Sequence, residues 1–147
     1  MKPFQLTAVL DHRKRLEDIA HNRFFEANKI HKLISKKLTF EKELLTTTIK
    51  QTEARKRQGI EIVSLIRFEE KIQSIQFNVK AIEKTLAEKK NIVEMEKANL
   101  LQCSKERQIM ERLRDKQNRN WKNYLNKKEA AMLDEIAIMR HGPESNY

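Results

Sequence analysis

The interior of this chain contains one glycine, and that scarcity restricts the fold more than any other feature of the sequence. The 147 residues include only two Gly and two Pro, the residue types on which tight turns most depend. Gly59 is the only glycine far from either end, and glycine readily adopts the left-handed conformation that ends a helix. The chain is therefore predicted to form long helices that reverse direction in a tight turn near residues 58–61.

The apolar residues after Gly59 follow a heptad spacing, which predicts a helix that packs against a partner helix. Two rows run through this segment, three residues apart. One row is Leu65, Ile72, Val79, Leu86, Val93 and Leu100. The other is Phe68, Ile75, Ile82, Lys89, Glu96, Cys103 and Met110, in which the charged Lys89 and Glu96 interrupt the apolar pattern. A repeat of about 3.5 residues sustained over about five heptads is typical of a left-handed coiled coil.

A second apolar stripe precedes Gly59 and follows a spacing close to the 3.6-residue period of a straight helix. Arg13 and Glu41 fill two steps of this stripe. Its other members are Leu6, Leu10, Leu16, Ala20, Phe24, Ala27, Ile30, Ile34, Leu38, Leu45 and Ile49. Pro3 stands where a helix can begin, and the basic residues of 50–58 suit a helix C-terminus.

These stripes predict an all-α fold, a long antiparallel two-helix coiled-coil hairpin whose second helix overhangs. We expect one domain over 1–147, with helix 1 at about 4–57, helix 2 at about 61–140 and a short disordered tail at 141–147. The overhang would be about 28 residues, or roughly 40 Å. Two separate helices or one continuous helix are the alternatives. One continuous helix is less favoured because both stripes would then need outside partners.

The sequence contains no pattern typical of catalysis, of a metal site or of a cofactor site. The four His residues lack a Cys/His metal spacing, and two glycines cannot form a phosphate-binding loop. Cys103 falls on the heptad seam and is interpreted as a small buried hydrophobe. A two-helix hairpin has no third layer to enclose a small molecule. We therefore expect no catalytic residue, no metal, no cofactor and no enzymatic activity.

Cysteine content and hydropathy indicate the cellular compartment in which the protein is expected. A single Cys excludes an internal disulfide and favours an intracellular protein. No run approaches the roughly 18 apolar residues of a membrane span. The N-terminal residues lack the sustained apolar region of a secretory signal. A cytoplasmic protein is the expectation.

The formal net charge of +10 is distributed unevenly. Residues 1–58 carry +7, residues 59–103 carry 0 and residues 104–147 carry +3. A basic end can bind nucleic-acid phosphates or steer docking onto an acidic protein. The charges are interleaved with acidic residues and no nucleic-acid-binding motif is present, so a protein partner is favoured. A nucleic-acid-binding coiled coil and a homodimeric scaffold stay as alternatives, and the hairpin itself predicts a monomer.

Two groups of residues are candidates for protein contact. Trp121 and Tyr124 lie three residues apart in a basic helical segment, and large aromatics flanked by Arg are typical of binding hot spots. Two other roles would explain the presence of these aromatic residues equally well: they could cover the open end of the hairpin, or they could form a dimer interface. Near the turn, Phe77 falls off the seam and is a candidate for a second exposed contact, whereas Phe68, Ile72 and Ile75 fall on it.

Both ends of the chain resemble the flagellar export protein FliJ family and, more distantly, the stalk proteins of virulence type III secretion systems. The N-terminal residues that carry the resemblance are Phe4, Leu6, Val9, Leu10, Arg13 and Glu17. The C-terminal ones are Glu111, Leu113, Lys116, Gln117, Tyr124, Glu129, Leu133, Asp134, Glu135, Ile136, Ala137 and Arg140. The segment LDEIA, residues 133–137, is the most specific part.

The resemblance implies a non-enzymatic stalk similar to that of rotary ATPases, located in the cytoplasm beside the inner membrane at the flagellar base. Its implied partners are a hexameric export ATPase ring, the membrane export gate and export chaperones. The residues expected to contact the ring are Arg13, Lys14, Arg15, Leu113, Arg114, Gln117, Trp121, Tyr124, Asp134 and Glu135. Those expected to contact the gate are Phe68, Ile72, Ile75, Phe77 and Val79.

Overall fold

The computed structural model describes residues 6–141 as two α-helices joined by a short turn. Helix α1 spans Thr7–Gln58 and helix α2 spans Ile62–His141, and the described residues contain no strand. The helices run antiparallel and pack against each other, which confirms the predicted all-α hairpin. Pro3, Phe4 and the predicted tail from Gly142 onward lie outside the described residues.

Backbone conformation explains why glycine occupies the turn. Gly59 has a φ of +90°, a region that L-residues with a side chain rarely adopt. A Cβ at this position would meet nothing within 4 Å, so the backbone angle and not lack of space requires glycine. The Gly59 N–H donates to the carbonyl of Lys56 at 3.3 Å. The last turn of α1 also carries Arg55, Lys56 and Arg57, whose charges complement the helix dipole.

The described residues divide into two compact units. The central unit is Ile19–Leu101, and the terminal unit combines the residues up to Asp18 with those from Gln102 onward. In the central unit the core consists of Leu38, Ile75 and Val79, all buried. Leu44, Leu45, Ile82 and Leu86 pack against this core. Ile75, Val79, Ile82 and Leu86 belong to the predicted heptad rows of α2.

The buried face of α1 corrects the stripe predicted from the 3.6-residue spacing. In the central unit a set of buried and half-buried positions of α1 alternates three and four residues apart. This set is Ala20, Phe24, Ala27, His31, Ile34, Leu38, Glu41, Leu45, Thr48 and Thr52, and Asn28, Ser35 and Leu44 are half-buried outside it. Ile30 and Ile49, which the prediction placed on the stripe, are 41% and 38% exposed. Both helices of a coiled coil share one supercoil, so α1 follows the 3.5-residue repeat of its partner.

Polar side chains therefore complete the seam of α1 near the turn. Thr48 and Thr52 are 1% and 2% exposed. The hydroxyl of Thr52 donates to the backbone carbonyl of Thr48 at 2.8 Å, which satisfies this buried polar group within its own helix.

Hydropathy over the described residues gives no helical segment apolar enough to span a membrane.

Candidate protein-binding site

Ion pairs between α1 and α2 organise the terminal unit. Arg13 Nη1 on α1 donates to Glu106 Oε2 on α2 at 2.7 Å. Arg107 Nε on α2 donates to Glu17 Oε2 on α1 at 2.8 Å. The Arg107 and Glu17 side chains are both only 22% exposed. The Glu17–Arg107 contact is therefore partly shielded from water and should stabilise the pairing of the helices more than a fully exposed pair would.

Arg107 also bonds along its own helix. Its Nη1 donates to Glu111 Oε2 at 2.8 Å, so one guanidinium joins two carboxylates. The pKa of Arg107 is raised above its usual value because the charged form donates to Glu17 and to Glu111. This cluster was not predicted from the sequence. Glu17 and Arg107 both occupy positions that the heptad repeat turns inward, which indicates burial of each side chain but not their pairing.

The start of α1 includes the three basic residues predicted to attract a partner. Arg13 is engaged with Glu106, Lys14 is half-buried, and Arg15 is exposed. Leu10, one turn earlier, is 2% exposed and anchors α1 within the terminal unit. Arg15 is therefore the most accessible of the three basic side chains.

Helix α2 continues well past the start of α1. Because Arg13 pairs with Glu106 in antiparallel helices, Thr7 lies level with about residue 112, leaving about 29 residues of α2, or roughly 44 Å. From residue 115 to residue 140 every side chain is exposed except Trp121, which is half-buried. A helix exposed on all sides over this length presents a continuous surface to a partner.

An aromatic pair lies on this exposed part of α2. The rings of Trp121 and Tyr124 stack with centroids 5.3 Å apart and an interplanar angle of 23°. Their separation of three residues places them on one face of the helix, and stacking fixes their orientation. Tyr124 is 53% exposed. The pair is a preformed apolar surface of the kind that anchors protein interfaces.

The other predicted contact residues of α2 lie on both sides of this pair along the helix. Leu113 and Arg114 are half-buried, and Gln117 is exposed. The Arg114 guanidinium is 3.3 Å from Asp115. Asp134 and Glu135 are exposed, but ten or more residues separate them from Tyr124, which is roughly 15 Å or more along the helix. The predicted contact residues of α2 are therefore spread along the helix and do not form a compact cluster.

The net charge of α2 changes sign along residues 113–140, from positive to negative. Residues 113–128 carry six Lys or Arg and one Asp. Residues 129–140 carry three acidic residues and one Arg, together with exposed apolar side chains such as Ile138 and Met139, which are 70% and 75% exposed. A partner that covers this whole part of α2 would therefore present an acidic surface beside the aromatic pair and an apolar one further on.

The residues predicted to contact the export gate separate into buried and exposed members. Ile75 and Val79 are 5% and 8% exposed and belong to the core, so a partner cannot reach them while α1 packs against α2. This burial corrects their assignment as contact residues. Phe68 and Ile72 are half-buried, and the Arg55 guanidinium carbon lies 6.0 Å from the centroid of the Phe68 ring. Phe77 is 74% exposed and keeps the most accessible surface of the set.

The described residues contain no group of three or more His, Cys, Asp or Glu side chains able to hold a metal ion. Cys103 is a half-buried thiol on the predicted seam. The chemistry that the described surface offers consists of helix faces, aromatic rings and charged groups. Such a surface is suited to binding other proteins.

Two long paired helices, with α2 continuing as an exposed helix, define a coiled-coil protein. The model of the family described as "Flagellar FliJ protein" matches residues 1–145 of the 147, and the chain belongs to that family. No curated protein and no solved structure matches the chain. Membership gives the protein a role related to flagellar export, within a family of structural and adaptor proteins.

Proposed function

We propose that the protein is a non-enzymatic stalk of the flagellar export apparatus. In this proposal the terminal unit enters the central opening of the hexameric export ATPase ring and promotes assembly and activity of the ring. The observation that carries the proposal is the exposed strip of α2 over residues 115–140. This strip supplies a long helical surface that α1 leaves uncovered.

The ion pairs of the terminal unit support a mechanical role. Arg13–Glu106 and Glu17–Arg107 join α1 to α2 just before the exposed strip begins. A helix pair that is held together at this point can present the strip in a defined orientation. Preorganisation of this kind lowers the entropy lost on binding.

Aromatic and basic side chains supply the proposed contacts with the ring. Trp121 and Tyr124 would be the apolar anchors, with Leu113, Arg114 and Gln117 beside them. The basic residues of 113–128 and the exposed Arg15 would steer the strip towards acidic surface of the ring. Asp134 and Glu135 would contact a different part of the ring, further along α2.

We also propose that the protein contacts the export gate and export chaperones. Its proposed location is the cytoplasm beside the inner membrane at the flagellar base. Gate contact would involve the central unit, where Phe77 is 74% exposed and Phe68 and Ile72 are partly accessible. Ile75 and Val79 support this surface from within the core.

A binding experiment with the purified export ATPase tests the proposal. The double substitution Trp121→Ala with Tyr124→Ala should weaken binding at least about tenfold, since it removes both aromatic anchors. It should also abolish most of the increase in ATPase activity that the wild-type protein causes. Circular dichroism should show unchanged helicity, because both residues lie where α2 is supported mainly by its own backbone bonds.

Phe77→Ala is the matched control, since it removes an aromatic ring that is 74% exposed in the central unit. It should leave ATPase binding unchanged. Equal binding by the wild-type protein and the Trp121/Tyr124 variant would contradict the proposal. Loss of a dimer in the same variant, seen by light scattering, would instead assign the aromatic pair to self-association.

A further inference from the structure

A groove beside the turn is lined by positive charges from both helices, and we call it the turn groove. It has a volume of about 290 Å³. Its lining residues are Arg55 from the last turn of α1 and Ser64, Arg67, Phe68 and Lys71 from the first turns of α2. The guanidinium carbon of Arg55 lies 6.0 Å from the centroid of the Phe68 ring, a cation–π contact that keeps this charge of α1 next to those of α2.

The lining of the turn groove contains no negative charge. Within residues 6–141, none of the ion pairs involves its three cations. The acidic residues of this part of the chain are Glu53, Glu61, Glu69 and Glu70, and none of them lines the groove. Like charges that lie close together repel each other, so a bound anion would stabilise this arrangement.

A second groove in the central unit provides a comparison. It is lined by apolar residues such as Ile30, together with Arg23, Lys89, Glu26 and Glu96. Its two positive charges are matched by two negative ones. The turn groove is therefore the better candidate for binding an anion.

Exposed aliphatic side chains lie beside the turn groove. Ile62, Val63 and Ile66 are 74%, 60% and 48% exposed. Val63 directly precedes Ser64 of the lining, and Ile66 directly precedes Arg67. Apolar and positively charged surfaces therefore adjoin each other at the start of α2.

The apolar surface at the start of α2 is short. Ile62 and Ile66 are one helical turn apart, roughly 6 Å along the axis. The next positions on the same face, Glu69, Glu70 and Gln73, are polar. A partner helix is recognised through apolar anchors over about two turns, which this face does not offer. A bilayer interface needs only apolar side chains that reach about 5–10 Å below its surface.

We infer that the turn region binds the surface of a membrane that contains anionic phospholipids. Their phosphate groups pair with Arg55, Arg67 and Lys71, and Ile62 and Val63 enter the apolar layer just below. Attraction to anionic lipids and burial of apolar side chains act together in such binding. Nucleic acid also presents phosphates, but it provides no apolar layer for the aliphatic side chains. The inference goes beyond the proposed stalk function, which uses the terminal unit.

Co-sedimentation of the full-length protein with lipid vesicles tests the inference. One set of vesicles mixes phosphatidylcholine with the anionic phosphatidylglycerol, and the other contains phosphatidylcholine alone. Binding to the anionic vesicles should be at least about tenfold tighter at low salt and should weaken as salt is added. Absence of binding to the anionic vesicles, or equal binding to both sets, would overturn the inference.

Charge variants locate the bound lipid. Arg55→Gln with Arg67→Gln should weaken binding to the anionic vesicles at least about fivefold, because the turn groove loses two of its three charges. Lys36→Gln with Lys37→Gln is the matched control, since it removes two exposed charges of the central unit that lie outside the groove. The control should bind like the wild-type protein. An equal loss in both variants would mean that only the total charge of the chain matters, and the inference would fail.

Apolar variants separate a bilayer from a soluble anion. Ile62→Ser with Val63→Ser should weaken binding to the anionic vesicles at least about fivefold, because less apolar surface enters the bilayer. Leu33→Ser with Phe40→Ser is the control, since these side chains are 58% and 64% exposed elsewhere in the central unit. The control should bind like the wild-type protein, and circular dichroism should show equal helicity for all variants. Unchanged binding by the Ile62/Val63 variant would overturn the inference, because charge alone would then account for the binding.

Inorganic phosphate and a duplex DNA fragment are the remaining probes. Binding of either one that the Arg55/Arg67 variant abolishes, without binding to the anionic vesicles, would assign the turn groove to a soluble anion or to nucleic acid and contradict the inference. Binding to the export ATPase by the Arg55/Arg67 and Ile62/Val63 variants should equal that of the wild type. Failure of the membrane inference and failure of the stalk proposal are therefore measured separately.

Discussion

The guanidinium of Arg107 links the two helices of the terminal unit through a 2.8 Å hydrogen bond to the carboxylate of Glu17. These residues are 90 positions apart in the sequence, and their contact depends on the chain having reversed at Gly59. The same guanidinium bonds Glu111 on its own helix. One side chain therefore couples the pairing of the helices to the part of α2 that leads into the exposed strip.

Removing this link should destabilise the terminal unit. We expect a double-mutant cycle of Glu17→Gln and Arg107→Met to give a coupling energy of about 1 kcal/mol in urea unfolding. Arg114→Met is the control, since Arg114 pairs with its sequence neighbour Asp115 at 3.3 Å and is 36% exposed. It should cost less than about 0.5 kcal/mol. A coupling energy near zero would show that the Arg107–Glu17 contact does not hold the helices together.

The inward and outward faces of α2 near the turn should differ sharply in their tolerance of substitution. Ile75→Ala should lower the free energy of unfolding by about 2 kcal/mol, because Ile75 is 5% exposed and packs in the core. Phe77→Ala removes a larger side chain that is 74% exposed and should change it by less than about 0.5 kcal/mol. Thermal unfolding measured by circular dichroism compares the two, and a larger loss for Phe77→Ala would contradict the assigned faces.

The turn should depend on the backbone freedom of glycine. Gly59→Ala should destabilise the hairpin by about 1 kcal/mol, because a φ of +90° is unfavourable for alanine. Gly59→Asn should cost less, since Asn tolerates positive φ better. Chemical denaturation measures both. Equal stability of wild type and Gly59→Ala would mean that the turn adopts another conformation in solution.

Binding to the export ATPase should weaken with ionic strength if the basic part of the strip steers association. Lys127→Gln with Lys128→Gln should reduce the association rate about threefold at low salt and little at high salt. Lys56→Gln with Arg57→Gln removes two exposed charges near the turn and should have little effect at either salt concentration. Surface plasmon resonance gives these rates, and an equal effect of both variants would indicate that only the total charge of the chain matters.

Periodicity predicted the fold because two helices that share one seam leave a clear repeat. The α2 seam from Leu65 to Met110 was read from heptads, and the structure buries or half-buries each of those positions. The α1 seam was misjudged because Ile30 and Ile49 are more apolar than His31 and Thr48. Hydropathy favoured the isoleucines, whereas supercoiling turns the polar neighbours inward.

The candidate site was only partly predictable. The shared face of Trp121 and Tyr124 followed from their spacing of three residues, and the ring stacking agrees with it. The Glu17–Arg107 pair required the register between the helices, which a single sequence does not specify. Burial of Ile75 and Val79 was implied by their seam positions, yet both were also assigned to partner contact, and a residue in the core cannot serve both purposes.

Site-specific photo-crosslinking tests the proposed stalk function most directly. A photoreactive phenylalanine analogue would replace Tyr124 on the exposed strip or Phe77 in the central unit, in separate samples of the full-length protein mixed with the hexameric export ATPase. The account predicts a covalent product with the ATPase from position 124 and little or none from position 77. Crosslinking from position 77 alone, or to the same extent from both positions, would contradict it.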